Sequence, residues 1–328
     1  ERAKRDCINK CAIAYRNCLG KNNIHFAKEA FDAITRMREC YVIIGDFTNF
    51  FDRLDHKFLK SRLKDLLNVH LLPSDYYSVY KNLTRFSYID YDELLKITEL
   101  TRKEFGRLNR AMEIEKFHEI KKRNLHINPN SYGIPQGAAI SAVLSNVYML
   151  EFDKAINDYC SSLGALYRRY CDDFIVVIPS KSTSSLEDGL AKINSVISST
   201  PLLELEPKKT QVFEVNHLSV ENISNVLSPE VEIKNRFIAY LGFTFDGKEI
   251  QIRDKTIHKY YSRLYRKIET ANKYSCMHRR NVFRKKLYEA YTHLGNQKKK
   301  KRKCQFLNYV HKAANIFGDI ILKKKKKK

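Results

Sequence analysis

The stretch Leu166-Tyr167-Arg168-Arg169-Tyr170-Cys171-Asp172-Asp173-Phe174-Ile175-Val176-Val177-Ile178 holds two β-prone segments separated only by Cys171, Asp172 and Asp173. Short runs rich in β-branched and aromatic residues, broken by a polar step, predict a hairpin of strands 166–170 and 174–178 with two carboxylates at its tip. A second apolar run, Cys40-Tyr41-Val42-Ile43-Ile44-Gly45-Asp46-Phe47, predicts a buried strand that also ends on an aspartate. A carboxylate at the end of an apolar strand is costly unless something positive binds it. One such residue is most simply explained by water or a nearby Arg. Three together, Asp46, Asp172 and Asp173, point to divalent cations, because hard ions such as Mg²⁺ take carboxylate and phosphate oxygens. Two cations ~3.5–4 Å apart can activate a hydroxyl and stabilise a leaving pyrophosphate, which is the chemistry of in-line phosphoryl transfer.

Outward from these strands, apolar spacing predicts helix over 1–39 through Ile8, Ile13, Leu19, Phe26, Ala30 and Ile34. An amphipathic helix follows over 55–68, with Leu59, Leu63, Leu66 and Leu67 on one side. Residues 74–123 read as mostly helical, 138–160 and 185–198 as helices, and the chain from Lys255 as basic helix. Short strands are predicted near 211–215, 236–245 and 249–253, with a polar segment over 216–230. Gly133-Ile134-Pro135-Gln136-Gly137 predicts a rigid turn. Helices and strands mixed within one unit make the fold class α+β. Cys7, Cys11 and Cys18 would share one face of the first helix, as small buried side chains rather than a metal cluster, since no Cys-x-x-Cys or histidine partner is near.

The chain has 328 residues and a formal charge of +23, with 60 Lys and Arg against 37 Asp and Glu. Nearly all of the excess lies in residues 248–328, which carry 26 basic and 5 acidic residues. That asymmetry favours a polyanionic partner, nucleic acid before an anionic membrane. No stretch approaches eighteen apolar residues, so no membrane span is expected. Eight cysteines scattered through a large basic chain suggest reduced thiols and a cytoplasmic location.

Asp46-Phe47-Thr48-Asn49-Phe50-Phe51-Asp52, Gly133-Ile134-Pro135-Gln136-Gly137 with Ser141 and Asn146, and Tyr170-Cys171-Asp172-Asp173 resemble three core motifs of reverse transcriptases, in the family's order. Leu205-Glu206-Pro207-Lys208-Lys209-Thr210 and Tyr240-Leu241-Gly242-Phe243 resemble two weaker ones, and the likeness covers roughly residues 41–270. It implies a right-hand polymerase. Residues 1–40 would be partial fingers, 41–254 an antiparallel palm with a fingers insertion around 70–130, and 255–328 a basic helical thumb with a lysine-rich tail.

By the same resemblance Asp46, Asp172 and Asp173 would be catalytic and hold two Mg²⁺ ions, for which Mn²⁺ could substitute. Asp52 would shape the local backbone. Phe47, Phe51, Gln136, Gly137 and Lys209 would contact the incoming nucleotide. Phe51 would be the ring that collides with a ribose 2′-hydroxyl, and either Lys209 or Lys208 would meet the departing pyrophosphate. Tyr170, Leu241 and Gly242, with Lys259, Tyr260, Arg263, Arg266 and Lys267, would hold primer and template, because interleaved tyrosines and cations suit bases and phosphates. The runs Lys298–Lys303 and Lys323–Lys328 carry charge without fixed geometry, as flexible contacts to RNA phosphates.

Nothing resembles a ribonuclease H or integrase domain, the Val-Thr-Gly thumb motif of retron enzymes is missing, and Gln136-Gly137 leads into Ala138-Ala139-Ile140-Ser141-Ala142 instead of Ser-Pro. Tyr240-Leu241-Gly242-Phe243-Thr244-Phe245-Asp246-Gly247 and Lys259-Tyr260-Tyr261-Ser262-Arg263-Leu264 look like bacterial reverse transcriptases of the phage-defence-associated and abortive-infection groups. That likeness implies a dedicated structured non-coding RNA, a DNA product and deoxynucleotide substrates. The rival readings are a protein-primed or template-independent deoxynucleotide polymerase and an inactive RNA-binding scaffold; the intact aspartates oppose the latter.

Overall fold

The computed structural model describes residues 10–180, 186–227, 233, 235–278, 283–292 and 306–318. The chain divides into two compact units. One contains Phe47–Ala155 and Asn194–Glu204; the other contains Lys10–Asp46, Ile156–Ile193 and the described residues from Leu205 onward.

The second unit is built on a five-stranded antiparallel sheet. Its strands are β1 (Glu39–Asp46), β4 (Leu166–Tyr170), β5 (Asp173–Pro179), β6 (Gln211–Asn216) and β7 (Ser219–Asn222), in the order β4-β5-β1-β6-β7. The central strand reads as an unbroken apolar run because both of its faces are buried. Val42 and Ile44 of β1, Ile175 and Val177 of β5, and Phe213 and Val215 of β6 share one core. That core is closed by α1 (Asn23–Met37) through Ile24, Phe31 and Ile34. A three-stranded sheet, β8 (Ile238–Tyr240), β9 (Phe243–Phe245) and β10 (Ile250–Ile252), adds Phe243 and Phe245. The helix Phe306–Phe317 adds Val310, Ala313 and Phe317. Phe31 stacks on Phe245 at 5.4 Å between ring centroids, and Phe243 meets Phe317 at 4.9 Å. On the opposite face Ile178 packs so close to Gly189 that a Cβ there would lie 2.6 Å from its Cδ1.

The first unit is mainly helical. Its helices include α2 (His56–Leu67), α3 (Ser74–Thr84), α4 (Tyr91–Thr98), α5 (Arg102–Phe105), α6 (Ile114–Asn124) and α7 (Ala139–Tyr148), and a two-stranded pair joins Ser87–Tyr88 to His126–Ile127. Asp55 caps α2, its side chain accepting from the Phe58 N–H at 2.7 Å, and Leu59 and Leu63 are the buried positions of the amphipathic stripe. Helices and antiparallel sheet together make the α+β fold expected from the pattern.

Three local expectations are corrected. Helix does not run from 1 to 39: among the described residues the first α-helix begins at Asn23. Asn22 caps it, accepting from the Ile24 N–H, while His25 Nδ1 accepts from the Asn22 N–H, each at 3.2 Å. Upstream, the chain lies beside the β4 edge, where Arg169 N–H donates to the Cys11 carbonyl at 2.7 Å and Ile13 N–H to the Arg169 carbonyl at 3.0 Å. A short segment buried all round shows apolar spacing that periodicity alone cannot assign. Cys11 is therefore buried and Cys18 exposed on no common helix, and Cys7 lies outside the described residues. Helix 138–160 is two helices, Ala139–Tyr148 and Leu150–Ser162, parted at Met149, whose φ of −90° and ψ of 3° leave helical geometry. The polar segment 216–230 contains β7, an edge strand whose exposed positions hide it from hydropathy. No helix among the described residues is long and apolar enough to cross a membrane.

Candidate active site

Asp46 is the last residue of β1 and Asp173 the first of β5, and the two face each other in the antiparallel register. Cross-strand partners have Cβ atoms ~4.5–5.5 Å apart, so two carboxylates share one spot on the sheet. Gly45 lets them do so. The Phe174 ring lies over it, and a Cβ at Gly45 would sit 2.3 Å from two ring carbons. Asp172 stands next to Asp173 in the turn between β4 and β5, and Tyr170 pairs with Asp173 from the other side.

The electrostatics follow from this crowding. Burial foremost, then the charges of Asp172 and Asp46, push the Asp173 carboxyl up to about 7, against the opposing pull of Lys209 and Arg253. Asp46 is nearly buried and forms an ion pair with Lys209 through Oδ2. The turn that presents Lys209 is fixed to the end of β1, with Glu206 N–H donating to the Asp46 carbonyl at 2.7 Å and Thr210 N–H to the Glu206 carbonyl at 2.9 Å. Of the two candidate lysines, Lys209 is thus the one at the carboxylates. Among the described residues no three His, Cys, Asp or Glu side chains form a ready-made cage for an ion. The donor set still suits Mg²⁺, which binds through one or two carboxylates and completes its octahedron with water and substrate phosphate oxygens. Burial first, and the two neighbouring carboxylates second, raise the Asp173 carboxyl, and a cation bound beside it would relieve that crowding.

The other unit carries the remaining nucleotide candidates. Phe50–Arg53 is a short 3₁₀ turn entered through Asn49 at φ +46°. The turn Gly133–Gly137 is laid along it: Ile134 N–H donates to the Phe51 carbonyl and Gly133 N–H to the Leu54 carbonyl, both at 2.9 Å. Ser141 Oγ donates to the Pro135 carbonyl at 2.7 Å and ties the turn to α7. Gln136 and Gly137 are exposed. Gly137 adopts φ +94°, which explains the glycine. Asp52 is exposed and donates its N–H to Asn49 within the 3₁₀ turn.

Phe51 and Phe50 are both buried, at 8% and 4% exposure, and meet edge to face at 5.4 Å, so burial does not separate gate from core. Phe47 corrects an expectation. Its ring stacks on Phe50 at 5.9 Å and meets Phe152 edge-on at 5.6 Å, which makes it core, and a nucleotide would meet Phe47 only through its main chain.

Leu241 and Gly242 form the two-residue turn between β8 and β9, with φ +47° and +92°, as the tightest hairpins require. The Leu241 carbonyl accepts from Asn23 Nδ2 at 3.1 Å and the Gly242 carbonyl from the Arg253 N–H at 3.0 Å.

Along the long helix α10 (Asp254–His278), which follows α8 (Leu150–Ser162) and α9 (Leu186–Ser198) in the chain, Lys259, Arg263, Arg266 and Lys267 are exposed. Tyr260 is not. Its ring packs on Phe306 at 4.6 Å and Tyr291 at 5.4 Å, and its O–H donates to the Tyr291 carbonyl at 3.0 Å. It joins helices instead of offering a stacking surface. Tyr261 and Tyr265 are exposed instead, at 45% and 65%, and stack on each other at 6.4 Å. Arg253 was also missed. It is exposed just before α10, and its charge acts on Asp173. Its only sequence signal was its place at the end of a strand. The two lysine runs lie outside the described residues.

Residues 8–245 match the family model described as reverse transcriptase (RNA-dependent DNA polymerase). Among solved structures the chain is similar to apo telomerase from Candida tropicalis truncated from its C-terminal domain, with TM-score 0.39 and 13% identity, over 74% of this chain and 41% of that one. It is also similar to telomerase from Candida albicans in complex with a TWJ fragment of telomeric RNA, with TM-score 0.40 and 14% identity, over 74% of this chain and 34% of that one. The chain thus spans less than half the length of these telomerases. Because the family match takes in all three aspartates, the glycine-punctuated turn, Lys209 and the Leu241-Gly242 hairpin, the chain belongs to the reverse transcriptase family.

Proposed function

We propose that this chain is an RNA-directed DNA polymerase that adds deoxynucleotides to a primer 3′-hydroxyl. The observation that carries the reading is the register pair Asp46–Asp173, with Asp172 adjacent, inside a reverse transcriptase domain. In the reaction the primer 3′-hydroxyl gives up its proton to solvent, its oxygen bonds to the α-phosphorus, and the bond from that phosphorus to the bridging oxygen of the leaving pyrophosphate breaks. Mg²⁺ ions held by Asp46, Asp172 and Asp173, or Mn²⁺ in their place, would supply charge neutralisation and acidify the attacking hydroxyl.

The chain's own residues position the reactants. The end of β1 fixes Asp46, and Lys209, paired with that carboxylate, would meet the departing pyrophosphate. Gln136 and Gly137 line the nucleotide, Phe51 lies under its sugar, and Tyr170 with the Leu241-Gly242 turn holds the primer end. Lys259, Arg263, Arg266 and Lys267 track phosphates. In this reading 41–254 is palm with a fingers insertion, 1–40 partial fingers and 255–328 thumb. The charge of 248–328 supports a structured non-coding RNA as template partner, and the Tyr240–Gly247 motif supports a setting in bacterial anti-phage defence.

The test is primer extension on an RNA template with deoxynucleotides and Mg²⁺ or Mn²⁺. Asp46→Ala and Asp172→Ala should abolish product, by at least ~10³-fold, while RNA binding stays. Extension that persists in either variant refutes the assignment. Phe51→Ala should admit ribonucleotides, and a variant that stays fully selective removes Phe51 as the gate. Plaque protection that is lost in Asp172→Ala would tie the activity to defence.

A further inference from the structure

Cys171, the residue before Asp172, has φ +63°, and Tyr15 has φ +61°. Non-glycine residues enter this left-handed region only where their surroundings hold them there, and such positions gather at functional sites. These two touch: the Tyr15 O–H donates to Cys171 Sγ at 3.2 Å. The same turn is held from below, where Arg169, fully buried, donates from Nη1 to the Cys171 carbonyl at 2.7 Å. The main chain of Arg169 is in turn gripped by Cys11 and Ile13 through bonds of 2.7 and 3.0 Å. Every one of these contacts lies within one unit.

Residues 11–15 thus touch the catalytic hairpin at both its strand and its tip. Tyr15 itself is 53% exposed and Cys171 only 5%, so the phenol closes the tip from the solvent side and adds little to the core. What the bond fixes is direction. With Sγ and the carbonyl of Cys171 both held, the peptide that carries Asp172 is fixed in direction.

Resting on the polymerase reading above, we propose that Cys11–Tyr15 is a brace for the catalytic hairpin, with Tyr15 a positioning residue that acts through Cys171 on the aim of Asp172.

Tyr15→Phe keeps the ring and removes only the donor. Its Mn²⁺ affinity, measured by electron paramagnetic resonance of free Mn²⁺, should fall ~3- to 10-fold, and kcat for single-nucleotide addition ~10-fold. KM for the nucleotide and the thermal midpoint should not move. Cys171→Ala should give the same loss, Cys171→Ser, which keeps an acceptor, should recover most of it, and the double variant Y15F/C171A should be no worse than C171A. Tyr15→Ala should raise the alkylation rate of Cys171, followed by peptide mass spectrometry apart from the exposed Cys18 and Cys276. Additive losses, unchanged Mn²⁺ affinity or an unchanged alkylation rate would overturn the brace. If the wild-type chain extends no primer but the Mn²⁺ and alkylation changes appear, the polymerase reading fails and the brace stands. If the wild type extends primers and Tyr15→Phe equals it throughout, the brace alone fails.

Discussion

At the scale of single residues, the carboxylates form one crowded charge cluster. Asp173 holds its proton to about 7 in the folded chain, against 3.8 for an ordinary aspartate. Between those values the folded state binds more protons than the unfolded one, so this residue favours folding below pH ~4 and that contribution is lost as pH rises towards 7. The gap corresponds to ~4 kcal/mol at most, and partial solvent access reduces it to ~1–2 kcal/mol. Asp173→Asn should therefore leave stability near pH 4 unchanged and raise it by that amount at pH 8; parallel thermal profiles for the two proteins across this range would contradict the account. Lys209 tests the same cluster from the cationic side. Its ammonium is largely exposed while it pairs with Asp46, and such pairs are worth ~0.2–1 kcal/mol. Lys209→Met should raise Mn²⁺ affinity up to ~5-fold by removing an internal competitor, and an unchanged affinity would mean that Lys209 leaves Asp46 without cost. The identity of these residues was legible in the sequence because Asp46 ends one apolar strand, Asp173 begins another, and Asp172 stands in the turn beside it. That Lys209 and not Lys208 reaches Asp46 was not, since it depends on the turn from Glu206 to Thr210.

At the scale of elements, strands were read more accurately than the faces of helices. β1 and β5 announce themselves by short apolar runs that cannot be surface, and their pairing places Asp46 opposite Asp173. The segment before Asn23 was misread because a short stretch buried all round has no distinctive period. On α10 the failure was one of rotation. In Lys259-Tyr260-Tyr261 the tyrosines are adjacent, ~100° apart on a helix, and the local sequence does not say which of them turns towards neighbouring helices. Here Tyr260 bonds to Tyr291 and packs on Phe306, while Tyr261 and Tyr265, four apart, share the exposed side. Tyr260→Ala should thus destabilise the chain by ~2–3 kcal/mol, read as a lower denaturation midpoint. The pair Tyr261→Ala and Tyr265→Ala should leave stability within ~0.5 kcal/mol but weaken nucleic-acid binding by ~1–3 kcal/mol for each base that loses its stacking partner. If Tyr260→Ala impaired binding with stability intact, the assignment of faces on α10 would be reversed.

At the scale of the whole molecule, charge is divided as the chemistry requires. Acidic groups collect where strands end, and the basic excess follows residue 248. Two populations make up that excess. Lys259, Arg263, Arg266 and Lys267 project from a helix that fixes their spacing, whereas the run from Lys298 to Lys303 supplies six cations in series. Geometry and charge make different contributions to binding. Each phosphate neutralised on a single strand contributes ~0.7 to the slope of log affinity against log salt, whatever holds the cation. Replacing all six residues of 298–303 with Gln should therefore lower that slope by up to ~4 and weaken every RNA alike. Replacing Lys259, Arg263, Arg266 and Lys267 should lower it by up to ~3 and, if these cations orient the duplex as proposed, should in addition reduce nucleotide addition at saturating RNA. Fluorescence anisotropy across a salt series, paired with single-turnover extension, separates the two sets. A run-deleted chain with an unchanged slope would show that 298–303 touches no phosphate. A helix variant with normal extension at saturating RNA would show that α10 supplies attraction without alignment.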